Sequence, residues 1–480
     1  MQDYLLFVDG RWQETKSGRV VENINPADGR AWARVHMAGP QEAEAALASA
    51  WACREKWAAV LPDRKEEILL QAAELLAANA EELTEILITE SGSARSKASG
   101  EVKASAGVFR VAAGECRRLN TEVMPALYPG QVSMTLRSPL GVVLGIAPFN
   151  YPLILAVKKL AFALAAGNTF ILKPSPHTPV IGLKIAEILE KAGLPAGVLQ
   201  VVPAETAELS NFLVRDPRVA MVSFTGSTKV GRQIAADCGS LLKRCSMELG
   251  GKNPLVLLED FDPEQAAEIA GYGAFCHQGQ LCMATSRIIA AGKAYEAILP
   301  LLKSKAESLK VGDPRDPQVV IGPLITPEHC AFIDGQIQDA LAKGARLLTG
   351  GKSRGPYYEP TVLADVTPAM DIFYHETFGP VTSVIPCADA EEALALCNDN
   401  LYGLSASVLT NDLSLAWELG QKIRAGMVHI NDTTYLSATT APSGGLGWSG
   451  LGRSGGHYSM EEYTELKWLT MQTQPRKMPF

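Results

Sequence analysis

The chain has 480 residues, of which 47% are hydrophobic and 20% charged, and its formal net charge at pH 7 is −8. This length exceeds what a single hydrophobic core usually supports, and the composition excludes a disordered or fibrous chain. The negative charge provides no general attraction to nucleic acids or anionic membranes. We therefore expect neither as a partner and small molecules as ligands.

The first residues and the cysteines indicate a cytoplasmic protein. Residues 1–9 lack the basic region and the long apolar segment of a secretory signal, and no apolar run is long enough to span a membrane. The nine cysteines include no CxxC pair, which argues against a disulfide framework and against a structural zinc site. We expect a reducing compartment and no metal.

Helices and a hairpin are predicted before residue 140. Ala, Leu, Glu and Lys recur at helical spacing over residues 40–60 and again over 63–91, which predicts two amphipathic helices. Between residues 121 and 137 the pattern changes to short alternating stretches around Pro125 and Gly130. This change predicts a β-hairpin that projects from its parent domain.

From residue 141 onward, apolar strands alternate with helices. Such alternation predicts βαβ units and a parallel sheet covered by helices on both faces, with ligands beyond the carboxyl ends of the strands. A second α/β stretch follows Gly250. The predicted strands are 141–148, 169–173, 197–202, 219–224, 381–386 and 405–410, and the predicted helices are 153–166, 179–192 and 204–214.

A glycine turn follows the strand that ends at Phe224. Gly226 and Gly231 lie where this strand leads into a helix, so that backbone N–H groups could approach a pyrophosphate closely. The same glycines could serve only tight packing between strand and helix. The segment also differs from the G-x-G-x-x-G fingerprint of ordinary Rossmann dehydrogenases.

Three polar residues could carry chemistry. Cys282 lies behind a predicted helix start, where a thiol can be partly exposed and its thiolate stabilised by the helix dipole; the alternative is a buried core thiol. Glu248 has apolar neighbours that could desolvate it into a base near neutral pH, or it is a surface acid beside a turn. Asn150 lies between two prolines and could donate to an oxyanion, or it is only a turn residue.

Several short motifs occur in one order along nearly the whole chain. They are PFNYP at 148–152, LKPS at 172–175, FTGST at 224–228, ELGGK at 248–252, GQLC at 279–282 and ETFGP at 376–380. These motifs, and the separation of Glu248 and Cys282 along the chain, resemble the signatures of the aldehyde dehydrogenase superfamily.

The resemblance implies an α/β fold with a Rossmann-type, parallel-sheet cofactor domain and an α/β catalytic domain. The cofactor domain would comprise residues 1–120 and 141–249, and the catalytic domain 250–447. Residues 121–140 and 466–480 would form a β-hairpin oligomerisation element that builds a homodimer or homotetramer. Residues 448–465 would return the chain to the cofactor domain.

The resemblance also implies oxidation of an aldehyde to its carboxylic acid with NAD or NADP. Cys282 would be the nucleophile, and Asn150 with the Cys282 backbone N–H would form the oxyanion hole. Glu248 would be the base that hydrolyses the thioester. Because branches that transfer the acyl group to coenzyme A typically lack this acid, its presence favours hydrolysis.

Further residues are implied as cofactor contacts. Lys173 would meet the adenosine ribose, Glu376 the nicotinamide ribose, and Phe378 the nicotinamide ring. Gly226 and Ser227 would meet the pyrophosphate. The remaining implied contacts are Ile146, Pro148, Phe149, Ser175, Phe224, Val230, Leu249 and Gly250.

Cofactor preference stays open because this chain departs from a common family pattern. Many NAD-preferring members have an acid three residues after the lysine, where this chain has Pro176. No carboxylate would repel a 2′-phosphate there, and His177 or Ser175 could contact that phosphate.

The sequence also leaves the shape of the substrate tunnel undetermined, since residues 442–448 lack the phenylalanine and lysine that the family more often places there. Phe149, Tyr151, Tyr435 and Trp448 are candidate tunnel residues that would suit an aromatic aldehyde; the alternative for each is core or lid packing. Residues 461–468 also resemble family members that act on benzaldehyde- or vanillin-like substrates.

Two other classes remain as alternatives. A cysteine hydrolase could pair Cys282 with His375, His429 or His457. A non-catalytic dinucleotide-binding or structural protein could retain the same fold. Metal dependence has no support, because no cluster of His, Cys and acidic residues has ligand spacing.

Overall fold

The computed structural model describes residues 1–204 and 206–480, and it describes side chains outside 205–210. The strands are β1 Gln2–Tyr4, β2 Leu6–Val8, β3 Arg11–Gln13, β4 Val20–Ile24, β5 Ala31–His36, β6 Val123–Met124, β7 Gln131–Pro139, β8 Val142–Ile146, β9 Thr169–Lys173, β10 Leu199–Val201, β11 Val219–Thr225, β12 Arg244–Glu248, β13 Asn253–Leu257, β14 Thr285–Ala291, β15 Arg346–Thr349, β16 Ser353–Arg354, β17 Tyr357–Tyr358, β18 Thr361–Ala364, β19 Val381–Cys387, β20 Tyr402–Gly403, β21 Ser405–Leu409, β22 Met427–Ile430, β23 Leu446–Gly447, β24 Gly450–Leu451 and β25 Thr464–Gln472. The helices are α1 Pro40–Ala58, α2 Pro62–Ala78, α3 Ala80–Ser91, α4 Arg95–Glu115, α5 Pro152–Ala165, α6 Pro179–Lys191, α7 Thr206–Arg215, α8 Thr228–Ser240, α9 Pro263–Phe275, α10 Lys293–Ser308, α11 Glu328–Ala342, α12 Asp371–Tyr374, α13 Ala390–Asn398, α14 Leu413–Lys422 and α15 Gly456–Glu462, with a 3-10 helix at Cys276–Gly279.

The first large sheet has the strand order β24-β12-β11-β8-β9-β10-β2-β3. Its centre, from β12 to β10, is parallel, and β24 and β2 add antiparallel edges. Alternate residues such as Val143 and Leu144 enter separate cores on opposite faces. Helices α2 to α6 pack on one face, and α1, α7 and α8 on the other. The predicted sheet with two covered faces is confirmed.

The second large sheet has the order β15-β18-β19-β14-β13-β21-β22 and is parallel except at β15. Helices α9 and α10 cover one face, and α11 to α14 cover the other. The strands predicted at 381–386 and 405–410 are β19 and β21 of this sheet.

The predicted hairpin lies in a third, antiparallel sheet of order β25-β7-β6. Strand β25 pairs with β7 along its whole length, from Thr464 opposite Pro139 to Gln472 opposite Gln131. Strand β25 therefore packs against the hairpin, and apolar side chains such as Trp468 remain exposed on this sheet.

Two predictions in the N-terminal half were wrong or incomplete. One helix was predicted over 63–91, but Asn79 separates α2 from α3 because its φ of −98° and ψ of 20° are not helical. Its side-chain Nδ2 donates to the carbonyl of Leu75 at 2.7 Å and closes α2. Helix α4 was not predicted, since alanines and three glycines interrupt its apolar pattern.

The predicted helix over 204–214 overlaps α7 from residue 206 onward; residue 204 lies outside the helix, and residue 205 lies outside the described residues. Within the described part of the chain, each helix is too short or too polar to cross a membrane.

Helix α4 is central to the larger core, which gives a test of the fold. Phe109 on α4 is fully buried. Replacing it in Phe109→Ala should lower the free energy of unfolding by about 3–5 kcal/mol, because a cavity remains. Denaturant unfolding followed by circular dichroism measures this change. The control Phe332→Ala, at a side chain that is 49% exposed, should change it by only about 0.5 kcal/mol; equal losses would contradict this core assignment.

Candidate active site

Four parallel strands bring candidate residues to one edge of the first sheet. Ile146 at the end of β8 lies opposite both Lys173 on β9 and Phe224 on β11. Glu248 at the end of β12 lies opposite Thr225. The segments that carry Asn150, Ser175 and Gly226 begin directly beyond these ends, as expected for ligand sites of parallel sheets.

The chain crosses from the first sheet to the second through Gly250 and Gly251. A Cβ atom on Gly250 would lie 2.3 Å from Glu376 Oε2, and one on Gly251 would lie 2.3 Å from the carbonyl oxygen of Cys282. The Gly251 N–H donates to Glu376 Oε1 at 3.0 Å. Only glycines therefore let the Glu376 and Cys282 segments approach this backbone so closely.

Cys282 lies in an irregular segment between the 3-10 helix and β14. Asn253 Nδ2 donates to the carbonyls of Cys282 at 2.8 Å and Ala284 at 2.9 Å, and Thr434 Oγ1 donates to the carbonyl of Met283 at 2.8 Å. Cys282 was predicted to lie behind the start of a helix, but the structure places it in this irregular segment, where three carbonyls accept hydrogen bonds from side chains.

The environment of the Cys282 thiol disfavours its thiolate. Burial raises the pKa of this thiol to about 12, and the carboxylates of Glu376 and Glu248 act in the same direction. Its own backbone N–H and Lys158 oppose them. The predicted stabilisation by a helix dipole is therefore replaced by desolvation and by two acids.

Asn150 and Cys282 line one cavity of about 590 Å³. Asn150 is only 3% exposed, and its Nδ2 donates to the carbonyl of Gln280 at 2.9 Å, two residues before the thiol. Tyr151 and Tyr435 also line this cavity, with the Tyr435 hydroxyl donating to that of Tyr151 at 3.0 Å. The structure thus brings four predicted residues together.

Two of the predicted tunnel residues lie elsewhere. The Phe149 ring packs edge-on against His177 and Phe378, at centroid distances of 5.9 and 5.8 Å, outside this cavity. Trp448 packs against Tyr402 at 6.0 Å and Arg232 at 5.1 Å, in a cleft beside α8. Neither ring lines the cavity that Cys282 and Asn150 share, because each packs against other neighbours, and the tunnel roles of both residues stay predictions.

Glu248 lines a second cavity of about 60 Å³, which Cys282 also lines. Its Oε1 is buried, without a hydrogen-bond partner in the described part of the chain. Burial raises the pKa of Glu248, and the positive charges of Lys159, Lys158 and Arg453 partly oppose this rise. Cys282 thus lies between a cavity with aromatic walls and one with a buried acid.

Sequence reasoning missed several charged groups at this site. Lys158 lines both cavities, and Lys159 donates to Thr225 Oγ1 at 2.5 Å beside Glu248. Burial lowers the pKa of both lysines. The signal that could have found them is a pair of lysines inside the otherwise apolar helix α5.

The edge beyond β9 carries an unpaired cation. Lys173 is 2% exposed, and burial lowers its pKa to about 8. Its ammonium has no side-chain or backbone partner within the described residues, so it fits a ligand rich in oxygen atoms. Ser175 Oγ accepts from the backbone N–H of His177 at 3.2 Å, and burial lowers the His177 pKa.

The glycine turn after β11 ends in a capped helix. Ser227 Oγ accepts the N–H of Val230 at 3.4 Å at the start of α8, and Gly226 N–H donates to the Glu248 carbonyl at 3.1 Å. Leu249 fills the space beside Gly231, where a Cβ would lie 2.2 Å from its side chain. The glycines thus serve tight packing and also leave a helix N-terminus open to an anion.

The histidines considered for a hydrolase do not lie with the thiol. Within the described residues, the Cys282 cavity is lined by His277 and not by His375, His429 or His457. His457 instead lies 3.0 Å from Glu461 on α15. Burial and the charge of Lys97 lower the pKa of His277 well below its ordinary value, so its ring is neutral.

Comparison with known proteins shows which family this chain resembles over its whole length. A family model described as the aldehyde dehydrogenase family matches residues 12–469. A vanillin dehydrogenase of Pseudomonas fluorescens is 40% identical over the whole of both chains. A benzaldehyde dehydrogenase of Bacillus subtilis is 38% identical, covering 99% of this chain and 98% of that protein. The crystal structure of a salicylaldehyde dehydrogenase from Pseudomonas putida G7, complexed with salicylaldehyde, has 35% identity and a TM-score of 0.98 over all of both chains.

The electrostatic account of the Cys282 thiol can be tested by alkylation. Burial raises the pKa of Glu376 to about 7, so this acid is ionised at pH 8.5. Glu376→Gln removes that negative charge and lowers the thiol pKa. Alkylation of Cys282 by iodoacetamide at pH 8.5 should accelerate by about threefold to tenfold, as expected for roughly half to one pKa unit.

Peptide mass spectrometry follows Cys282 separately from the other eight cysteines. The control Glu359→Gln changes an exposed acid of the same type. An unchanged or slower rate in Glu376→Gln would show that Glu376 does not raise the thiol pKa.

Proposed function

Given that this chain belongs to the aldehyde dehydrogenase family and is an NAD(P)-dependent aldehyde dehydrogenase, we propose that it oxidises aromatic aldehydes through a thioester on Cys282. One observation carries this proposal. Cys282 lines both the cavity with Tyr151 and Tyr435 and the smaller cavity with Glu248. A nucleophile in this place can receive an aldehyde from one side and expose its thioester to a base on the other.

Attack by the Cys282 thiolate on the aldehyde carbon makes a thiohemiacetal oxyanion. Asn150 Nδ2 carries two N–H groups, of which one donates to Gln280. The second N–H is free to donate to the oxyanion, together with the Cys282 backbone N–H. A single donor of this kind accelerates comparable reactions by about 10²–10³-fold.

The edge of the first sheet at the carboxyl ends of β8, β9 and β11 fits NAD(P), which supplies the hydride acceptor when bound. The unpaired Lys173 ammonium would bind the adenosine ribose, and the capped start of α8 at Ser227 the pyrophosphate. Glu376, held by the Gly251 N–H, would bind the nicotinamide ribose, and Phe378 would contact the nicotinamide. Ile146, Pro148, Phe149, Ser175, Phe224, Gly226, Val230, Leu249 and Gly250 surround these positions in the proposal.

Glu248 would take a proton from the water that hydrolyses the thioester. Its cavity of about 60 Å³ exceeds the roughly 10–15 Å³ that an ordered water needs. The raised pKa of Glu248 makes it a stronger base than an exposed carboxylate. The product is a carboxylate and the thiol is regenerated.

The proposed substrate class follows from the cavity. Its volume of about 590 Å³ lies in the usual range of roughly 300–1,000 Å³ for small-molecule sites. Tyr151 and Tyr435 offer ring surfaces that suit an aromatic aldehyde. Relatives named for vanillin, benzaldehyde and salicylaldehyde support the same class.

We also propose the domain organisation and assembly expected from the sequence. Residues 1–120 and 141–249 would bind the cofactor, 250–447 would form the catalytic domain, and 448–465 would return to the cofactor domain. Residues 121–140 and 466–480 would join subunits into a homodimer or homotetramer, supported by exposed apolar side chains on β25 and β6. Nine free cysteines support a cytoplasmic location.

The role of Glu248 predicts a separation of two kinetic phases. Glu248→Gln should retain the initial burst of reduced cofactor, because hydride leaves before hydrolysis, but slow steady turnover by about 10²-fold or more. Stopped-flow absorbance of the reduced nicotinamide measures both phases. Cys282→Ala is the control, since it should show neither phase while still binding NAD(P). Loss of the burst in Glu248→Gln would place Glu248 before hydride transfer.

The same variant tests the pH dependence. The base acts when deprotonated, and burial raises its pKa. The kcat of the wild-type enzyme should therefore fall with decreasing pH at a higher pH than an ordinary carboxyl would cause, and this limb should disappear in Glu248→Gln.

Substrate class and cofactor can be measured together. Aromatic aldehydes, namely benzaldehyde, vanillin and salicylaldehyde, should give kcat/KM values about tenfold or more above those of acetaldehyde and butanal, because burying a ring contributes roughly 1.5–3 kcal/mol. Measuring the same aldehydes with NAD and with NADP decides the cofactor preference, which the sequence leaves open because Pro176 replaces an acid common in NAD-preferring members. Higher kcat/KM for the aliphatic aldehydes would overturn the aromatic proposal while leaving the reaction intact.

A further inference from the structure

We infer that the buried ion pair of Lys97 and Glu101 on α4 is a positioning device that fixes the Asn150 amide beside Cys282. The inference rests on the proposed function, because it assumes that Asn150 donates to the oxyanion. Lys97 lines the substrate cavity, yet its contacts show that it supports Asn150 rather than binding a ligand.

All three N–H donors of the Lys97 ammonium have acceptors within the protein. Its Nζ donates to the backbone carbonyl of Asn150 at 2.6 Å, to Ser93 Oγ at 2.9 Å and to Glu101 Oε2 at 2.7 Å. An ammonium has three N–H donors, so none is left for a substrate. The Lys97 Nζ also lies 4.0 Å from the centroid of the Tyr151 ring, which closes the remaining side.

Glu101 anchors the residues that follow Asn150. Its Oε1 accepts the backbone N–H groups of Leu153 at 2.9 Å and Ile154 at 3.1 Å. Tyr151 precedes α5 without a side-chain cap. Glu101 supplies the missing cap from another helix, where a carboxylate also complements the positive helix end.

Asn150 is consequently held from two sides. The α4 pair binds its backbone carbonyl and the start of α5, and the Cys282 segment binds its side-chain Nδ2 through Gln280. Without the α4 contacts, the backbone at residues 150–154 would be free to shift relative to Cys282. A displacement of about 1 Å in a catalytic group can cost roughly 10²-fold in rate.

The side chains of Lys97 and Glu101 are 4% and 0% exposed. Removing either charge alone would leave the other buried and uncompensated, which is strongly destabilising. The double variant Lys97→Met/Glu101→Gln avoids this, because it is neutral and the amide oxygen of the introduced glutamine can still accept from the α5 N–H groups. It therefore removes the Lys97 contact to Asn150 while keeping the cap.

The test is a double-mutant cycle on the burst of reduced cofactor, with benzaldehyde and saturating NAD or NADP. Asn150→Ala should slow the burst by about 10²-fold or more. The neutral double variant should slow it by about tenfold in the wild-type background, but by less than about twofold when Asn150→Ala is already present. The rate of thioester hydrolysis after the burst should fall as well, because the tetrahedral intermediate of hydrolysis places its oxyanion at the same donors.

The other outcomes of this double-mutant cycle separate the positioning role of the α4 pair from the oxyanion role of Asn150. Equal slowing in both backgrounds would overturn the positioning role and leave the proposed function intact. An unchanged burst in Asn150→Ala would overturn the oxyanion role of Asn150, and the positioning role with it. Lys65→Met, which removes a buried lysine that bonds the Ala58 carbonyl, is the control and should keep the wild-type burst. Thermal unfolding and NAD(P) binding verify that each variant is folded; a folded neutral double variant with a normal burst contradicts the inference.

Discussion

The backbone of Gly250 and Gly251 is the point on which the site depends, because it joins the two large sheets where Glu376 and Cys282 both approach it. A side chain at either glycine would overlap the Glu376 carboxylate or the Cys282 carbonyl. A similar approach occurs between Gly279 and the carbonyl of Gly379, where a Cβ would lie 2.0 Å from that oxygen. These close approaches at glycines therefore hold the Cys282 and Glu376 segments against one stretch of backbone, with no room for a side chain between them.

Burial governs the electrostatics of the residues gathered there. The pKa of the Cys282 thiol and of Glu376 is raised, and that of Lys173 is lowered, in each case first by desolvation. Each group is thereby held toward its neutral form, and a bound ligand or a neighbouring charge decides its final state. Lys158 belongs to this balance, since it lines both cavities and opposes the effect of the two acids on Cys282.

Helix α5 links these features, because its start and its middle serve different parts of the site. The residues just before its start, Asn150 and Tyr151, line the large cavity, and its middle carries Lys158 and Lys159 to the cavity of Glu248. Helix α4 fixes that start through Glu101. Nothing in the pattern of α4 marks this role, apart from a lysine and a glutamate four residues apart. Only the fold shows that this pair reaches across to another helix.

The sequence by itself determined the α/β class, the order of most strands and helices, and the family, because βαβ alternation and the motifs around Asn150, Glu248 and Cys282 are local patterns along the chain. It did not determine the break at Asn79, the existence of α4 or the irregular segment at Cys282, since each depends on hydrogen bonds or packing from distant residues. The placement of Phe149 and Trp448 was decided only by tertiary structure. An aromatic ring is equally suited to a tunnel wall or a packed edge, and which of these it forms depends on neighbours such as Phe378 and Arg232, far away in sequence.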